Sequence, residues 1–222
     1  EKFFHWLRPM AAEMANASPN PSHVAFSALE QDGYVKSIIT QNIDGLHQKA
    51  VSRAVIEIHG SMNSLSCTGC FVQYASQPYL APYIEHGTIP LCPDCGKILK
   101  PDVVLFEEQL PVKAWLKARE AARSCDLMIV AGSSLVVMPA AGLPMKAVEN
   151  HAKLILVNKT STYIDERSDI VIYGDLPADS SGEFVGRGPI DRAAHVDRAR
   201  DAFAEVQSTG KLGARHAAGD VA

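Results

Sequence analysis

Nowhere does the sequence hold an apolar run approaching the roughly 20 residues that a helix needs to cross a bilayer. Its start shows no signal-peptide pattern of a basic stretch, an apolar core and a small-residue cleavage site. Positive charge is not in excess: 21 Lys and Arg stand against 25 Asp and Glu, a formal net charge of −4. No global basic field therefore argues for nucleic acid. No internal repeat is visible, and cysteine is scarce, with five in 222 residues. Four of the five fall in two pairs, Cys67-x-x-Cys70 and Cys92-x-x-Cys95, and Cys125 is left over. Without a secretory signal, metal binding accounts for that pairing better than a disulfide framework does. The expected compartment is the cytoplasm. An initiating Met is also lacking: the chain opens at Glu1 inside what reads as a helix, so a partial sequence is expected.

What is present is enough to build a core. A hydrophobic content of 47% is that of a globular protein, and the length suits one sizeable domain or a domain with a smaller lobe. Residues 2–16 read as an amphipathic helix, with Phe3, Phe4, Leu7, Met10 and Met14 recurring at three- and four-residue steps. Asn20-Pro21-Ser22 supplies a cap and a proline suited to a first helical turn. A second helix is expected from Pro21 to Glu30, ending at Asp32-Gly33, and a short strand from Tyr34 to Thr40. Val55–Ile58, Val103–Phe106, Leu127–Ala131, Leu154–Val157 and Ile170–Tyr173 are short, β-branched-rich runs of the kind buried on both faces of a parallel sheet. Helical stretches at Pro111–Arg123 and Pro139–Asn150 separate several of them. That alternation predicts an α/β fold, a parallel sheet with helices on both faces. Residues 61–103 break the rhythm and read as an insertion. Residues 176–222, rich in Ala, Gly, Arg, Asp and Ser, are expected to be a flexible tail with one short helix near Ile190–Val206.

The paired cysteines carry the first chemical signal. Each Cys-x-x-Cys turn aims two sulfurs at one ion, and two such knuckles, 21 residues apart, close a tetrahedron. Gly69 and Gly96 suit the tight turns. Four thiolates leave no open position, so one structural zinc is expected on Cys67, Cys70, Cys92 and Cys95. A redox dithiol would need only one such motif. The ribbon alone names no function.

Polar residues at strand ends carry the second signal. Thr40-Gln41-Asn42-Ile43-Asp44-Gly45-Leu46-His47 follows the first strand, where open α/β sheets bind ligands. Taken alone, Gln41, Asn42 and Asp44 would serve equally as helix caps. His59 ends the run Glu57-Ile58-His59-Gly60, and Gly60 permits close backbone approach. Gly132-Ser133-Ser134-Leu135 follows another strand with small residues and free N–H groups suited to a ribose or phosphate. Asn158 closes a further strand at the same edge.

These motifs, in this order, resemble the sirtuin family, over about residues 1–175. The resemblance rests on Thr40–His47, Glu57–Gly60, the two knuckles, Lys100-Pro101-Asp102-Val103-Val104-Leu105-Phe106, Gly132–Leu135 and Val157-Asn158. It implies a Rossmann-like NAD-binding domain, residues 21–60 and 104–175, beside a small lobe formed by a helical segment, residues 1–20, and a zinc-ribbon module, residues 61–103. It implies NAD-dependent removal of acyl groups, chiefly acetyl, from protein lysines, giving nicotinamide and O-acyl-ADP-ribose. His59 is then the general base that activates a ribose hydroxyl. Gln41, Asn42 and Asp44 hold the nicotinamide ribose side, and Gly132, Ser133, Ser134 and Asn158 the adenosine side. The acyl-lysine peptide adds as a strand between Val104, Phe106 and Glu107 on one side and Val137 and Met138 on the other, which makes sequence selectivity modest. The partners so implied are acyl-lysine proteins or peptides, with no membrane and no direct nucleic-acid contact.

Three departures stand against the family pattern. The family commonly has Gly-Glu after the phenylalanine, and here it is Glu107-Glu108. The segment after Asp175 does not look like a family ending. The Gly-Ala-Gly-x-Ser loop and Pro-x-Phe-Arg segment that precede the first helix in the family are not in these residues, so this chain by itself is expected to be a poor deacylase. Two alternatives stay open from the residues: a non-catalytic zinc-ribbon binding module, and ADP-ribosyl transfer to protein by the same site.

Overall fold

The computed structural model describes residues 2–174 and 183–186. In chain order the elements are α1 (Lys2–Asn16), α2 (Pro21–Gln31), β1 (Ile38–Thr40), α3 (Leu46–Lys49), β2 (Val55–Glu57), β3 (Gly60–Cys67), β4 (Gln73–Ala75) and α4 (Gln77–His86). There follow β5 (Leu99–Val103), α5 (Val112–Ser124), β6 (Leu127–Ala131), α6 (Leu143–Glu149), β7 (Lys153–Asn158), β8 (Ile170–Tyr173) and β9 (Glu183–Gly186). The expected helix at Pro139–Asn150 begins as a 3₁₀ turn, Ala140–Gly142, and becomes α-helical at Leu143.

Three sheets form. β1 and β2 pair in parallel, Ile38 opposite Val55 and Thr40 opposite Glu57. β4, β3 and β5 make an antiparallel sheet in that order. β6, β7 and β8 run parallel, and β9 pairs antiparallel with β8. The two parallel sheets share one helical layer. Ala118 and Ala122 of α5 and Leu143 of α6 pack with Ile58, and Ile39, Ile56 and Met128 close around them from β1, β2 and β6. Small residues on α5 let it approach both sheets. No backbone pairing joins β1 to β6 among the described residues. Between them lies a cleft of about 1130 Å³, lined by Lys36–Asn42 on one side and Asp126–Ser134 on the other.

That cleft explains one difference from the sequence expectation. β7 is buried from Leu154 to Asn158, as a strand covered on both faces should be, but Leu127, Met128 and Ile129 of β6 are only half-buried because the cleft opens beside them. The strand expected over Tyr34–Thr40 shrinks to Ile38–Thr40. The N–H groups of Tyr34 and Val35 bond instead to the carbonyl of Leu29, closing the end of α2. The run Val103–Phe106 is not a parallel strand at all. Val103 ends β5 in the antiparallel sheet, Val104 bonds to the carbonyl of His59, and the chain then turns away. Of its apolar residues only Val103 is buried, and Phe106 is fully exposed. Of the expected tail, β9 is ordered against β8, and the possible helix near 190–206 lies outside the described residues.

The small lobe is tied to α1. Phe4 and Tyr83 meet edge to face, and the Tyr83 hydroxyl donates to the carbonyl of Phe4. Arg8 caps the end of α4, donating to the carbonyls of Ile84 (2.9 Å) and Glu85 (2.8 Å), where a cation suits the helix dipole.

Candidate active site and metal centre

His59 is fixed by three backbone anchors. Ile58, fully buried, donates its N–H to Thr40. The His59 carbonyl accepts from Val104 N–H at 2.9 Å. Its Nδ1 lies 3.1 Å from the carbonyl oxygen of Gln41. A carbonyl only accepts, so Nδ1 is the donor in this contact, and in the neutral ring Nε2 is then the nitrogen that can accept a proton. Gly60 makes this arrangement possible. Its φ is +77°, and a Cβ there would stand 1.9 Å from the backbone oxygen of Asp102, so β3 and β5 can approach only over a glycine.

The polar loop after β1 leans on the same residue. Gln41 Nε2 donates to Ser133 Oγ at 3.3 Å, joining this loop to the one after β6. Ser133 Oγ in turn accepts from Leu135 N–H at 3.3 Å. A hydrogen-bonded path thus runs from Val104 through His59, Gln41 and Ser133 to Leu135. Asn42 is exposed, and its N–H is held by Thr40 Oγ1. Asp44 does act as a cap, accepting from Leu46 N–H at 2.9 Å. Gly132 and Ser134 are exposed beside the cleft, Gly132 with φ +61°. Asn158 is 6% exposed, and its amide donates to the carbonyls of Ser133 (3.0 Å) and Thr160 (2.9 Å). It therefore shapes the 132–134 loop from beneath. The cleft includes Thr40, Gln41, Asn42, Gly132, Ser133 and Ser134, and its size is that of a site for a large organic ligand. Small residues and backbone N–H groups at two strand ends suit a dinucleotide.

Beneath the loop, the rings of His23 and His47 meet tilted at 58°, with centroids 4.7 Å apart, and Phe26 meets His47 at 6.3 Å. Burial holds both imidazoles below their usual value, and for His47 the neighbouring His23 adds to the effect, while Asp44 works against it for both. His47 Nδ1 is buried with no partner. Periodicity gave no warning of this pair, because its members come from different helices.

The strap after Val104 has its own geometry. Phe106 is fully exposed, as are Val136, Val137 and Met138 in large part. Glu108 accepts from Leu105 N–H at 3.0 Å and pairs with Lys100 at 2.9 Å, and these two partners hold its carboxyl below the usual range. Glu107 sits at φ +69°, a left-handed conformation that costs a non-glycine residue about 1–2 kcal/mol.

The four paired cysteines converge. Their sulfurs all lie within 4.8 Å of one another, with Cys67 to Cys95 at 3.3 Å and Cys70 to Cys92 at 3.7 Å. Zinc–sulfur bonds of about 2.3 Å in a tetrahedron require sulfurs about 3.8 Å apart, so the donor set fits that ion. Gly69 and Cys70 aim their N–H groups at Cys67 Sγ, at 3.3 and 3.4 Å. Burial alone would raise that thiol, but these bonds and the neighbouring thiols outweigh it and bring it to about 6. Tyr74 adds a contact the spacing could not foretell: its hydroxyl donates to Asp94 at 2.7 Å and lies 3.3 Å from Cys92 Sγ. Cys67 and Cys92 are buried with Leu65 and Leu99, while Cys70 and Cys95 face out.

The profile of the Sir2 family matches residues 1–139. An NAD-dependent protein deacetylase of Thermodesulfovibrio yellowstonii is 41% identical over 184 residues, 83% of this chain and 70% of that protein. NAD-dependent protein deacylase 2 of Archaeoglobus fulgidus is 48% identical over 159 residues, 71% of this chain and 62% of that protein. Among solved structures, that of Sir2Tm bound to a propionylated peptide superposes with a TM-score of 0.73 at 34% identity, covering 95% of this chain and 79% of that one. A Sir2 complex with p53 peptide and NAD+ superposes at 0.68, with 35% identity over 89% of this chain and 72% of that one.

Proposed function

The chain belongs to the Sir2 family, and we propose that it removes acyl groups, chiefly acetyl, from protein lysines with consumption of NAD. NAD supplies the electrophilic ribose to which the acyl group is transferred, with loss of nicotinamide. The observation that carries the reading is the placement of His59: its Nδ1 is held on the Gln41 carbonyl, so that in the neutral ring Nε2 is the nitrogen able to accept a proton. In this reading His59 is the general base. Gln41, Asn42 and Asp44 bind the nicotinamide ribose side, and Gly132, Ser133 and Ser134 the adenosine side, with Asn158 holding their loop. Val104, Phe106 and Glu107 on one side, and Val137 and Met138 on the other, take the acyl-lysine peptide as an added strand. Helix α1 and residues 61–103, the module in which Cys67, Cys70, Cys92 and Cys95 hold the structural zinc, form the small lobe. Residues 21–60 and 104–175 form the NAD-binding domain. The reaction class is group transfer, and the compartment is the cytoplasm. No described helix is long and apolar enough to cross a membrane.

The test is to incubate the protein with NAD and an acetyl-lysine peptide and to follow nicotinamide, freed lysine and O-acetyl-ADP-ribose by mass spectrometry. One nicotinamide per lysine freed is expected, even at slow turnover. Deacetylation without nicotinamide, or ADP-ribose appearing on protein in place of O-acetyl-ADP-ribose, would overturn the proposal.

A further inference from the structure

We propose that Glu107 is a charge-selecting residue of the peptide site, favouring acyl-lysine peptides that carry a lysine or arginine next to the modified lysine. The inference rests on the reading that the peptide lies between the strap at Val104–Glu107 and the segment at Val136–Met138. Between them, residues 104–107 and 132–142 carry a single formal charge, and it is Glu107. Its side chain is exposed and makes no hydrogen bond or ion pair among the described residues. The contrast with its neighbour is direct: Glu108 is committed to Lys100 and to the N–H of Leu105, so its charge is already answered. Glu107 also holds a left-handed backbone, at φ +69°, where glycine would sit without strain. A carboxylate is thus kept at a position whose backbone argues against any side chain.

Strand addition draws its affinity from backbone bonds that every peptide offers, so discrimination must come from side chains at the rim. Beside Glu107 the charge of Glu108 is answered by Lys100, and Phe106, Val136 and Met138 are all open to solvent. An unpaired carboxylate there attracts a basic side chain and repels an acidic one. The effect is modest because the group is exposed and screened, about five-fold between oppositely charged peptides at low salt.

The experiment compares two acetyl-lysine peptides that differ only in carrying arginine or glutamate beside the modified lysine. Relative kcat/KM is measured by competition, and affinity separately by fluorescence anisotropy, for the wild-type chain, Glu107→Gln, Glu107→Lys and Glu107→Gly. The wild type is expected to prefer the arginine peptide about five-fold, less at high salt. Gln and Gly should bring the ratio close to one, and Lys should invert it. Because Gly relieves the left-handed backbone, it carries the test if Gln folds poorly. An unchanged ratio in Gln and Gly overturns the inference. Failure of the deacylase reading looks different: neither peptide releases nicotinamide, and the anisotropy ratios of the same variants then decide the role of Glu107.

Discussion

In the small lobe each strand finds its partner within the lobe, β4 and β5 flanking β3, and four sulfurs close on one point. The parallel half is built the other way. Its two sheets, β1–β2 and β6–β9, rest on a common helical layer but turn their near edges to a cleft of about 1130 Å³. One half is closed by coordination chemistry, the other held by side-chain packing under helices. The difference teaches where stability and function separate. The small lobe has a compact cluster of Leu65, Cys67, Cys92 and Leu99, two of whose members belong to the four-sulfur site. The parallel half buries Leu154, Leu156 and Ile164 completely without one, and leaves its strand ends free to carry chemistry.

The strongest way to break that comparison is to take the metal away. Binding of a structural zinc is worth about 10–16 kcal/mol in small metal modules, and that binding energy is folding energy. Chelation, or Cys92→Ala, is expected to abolish hydrogen-exchange protection across residues 60–103 while the amides of β7 stay protected. Metal analysis should find one zinc per folded chain. Protection of the small lobe that survives chelation would mean that the two halves are held by the same means.

The next two changes act at the seam. His59→Ala should lower deacylation about 10²–10⁴-fold, the usual contribution of a positioned general base. Zinc content and thermal midpoint should hardly move, since the half-buried ring makes one hydrogen bond. Near-normal turnover would remove His59 from its role. Gly60→Ala should do the reverse kind of damage. Its Cβ would meet the Asp102 oxygen at 1.9 Å on a left-handed backbone, so β3 must move off β5, at about 1–3 kcal/mol for overpacking. A drop in the urea midpoint together with lost activity is expected, since the same shift displaces His59.

What the sequence disclosed divides along the same line. The convergence of the four cysteines was legible from spacing alone, because that geometry is written locally in each Cys-x-x-Cys turn. The long, strongly periodic elements were legible too: α1, α2, β6 and β8 fall within a residue of their expected limits. Pairing was not. Val103–Phe106 reads like its β-branched neighbours, yet β5 belongs to the antiparallel sheet, and only the bond from Val104 to His59 shows that it brings the strap to the site. Asn158 reads as a ligand-facing polar residue, and pattern alone did not show that its amide also braces the 132–134 loop. The His23–His47 pair left no pattern, since its members lie on α2 and α3 with β1 between them in the chain. Position along the chain records what a residue is next to, and the site is made of what lies across from it.

The smallest expected effect concerns that histidine pair, and it places an acid-sensitive point in the parallel half. Burial lowers both imidazoles in the folded chain from their usual 6.5, so an unfolded chain takes up protons first as the pH falls. The sign follows: stability is fully present above about pH 7.5, declines as pH drops through 6.5, and levels off only below the depressed folded values. Protonation has a structural meaning as well. His23 Nδ1 lies 3.3 Å from the Asn20 N–H and 2.6 Å from Asn20 Oδ1 in the capping box that starts α2, so protonation there exchanges one partner for the other and rearranges the cap. A second proton on His47 would set two cations with ring centroids 4.7 Å apart, and Asp44 would oppose that repulsion. Since α3 begins where the Asn42–Asp44 loop ends, loosening the pair loosens the loop that leads to His59. Hydrogen-exchange protection factors over residues 21–49, corrected for the intrinsic pH dependence, are expected to fall between about pH 7.5 and 5.5, before those of β7 respond. His47→Phe, which fills the same space beside Phe26 without a titratable group, should flatten that response. Equal acid sensitivity in the variant would assign the effect to other groups and leave the pair a packing feature only.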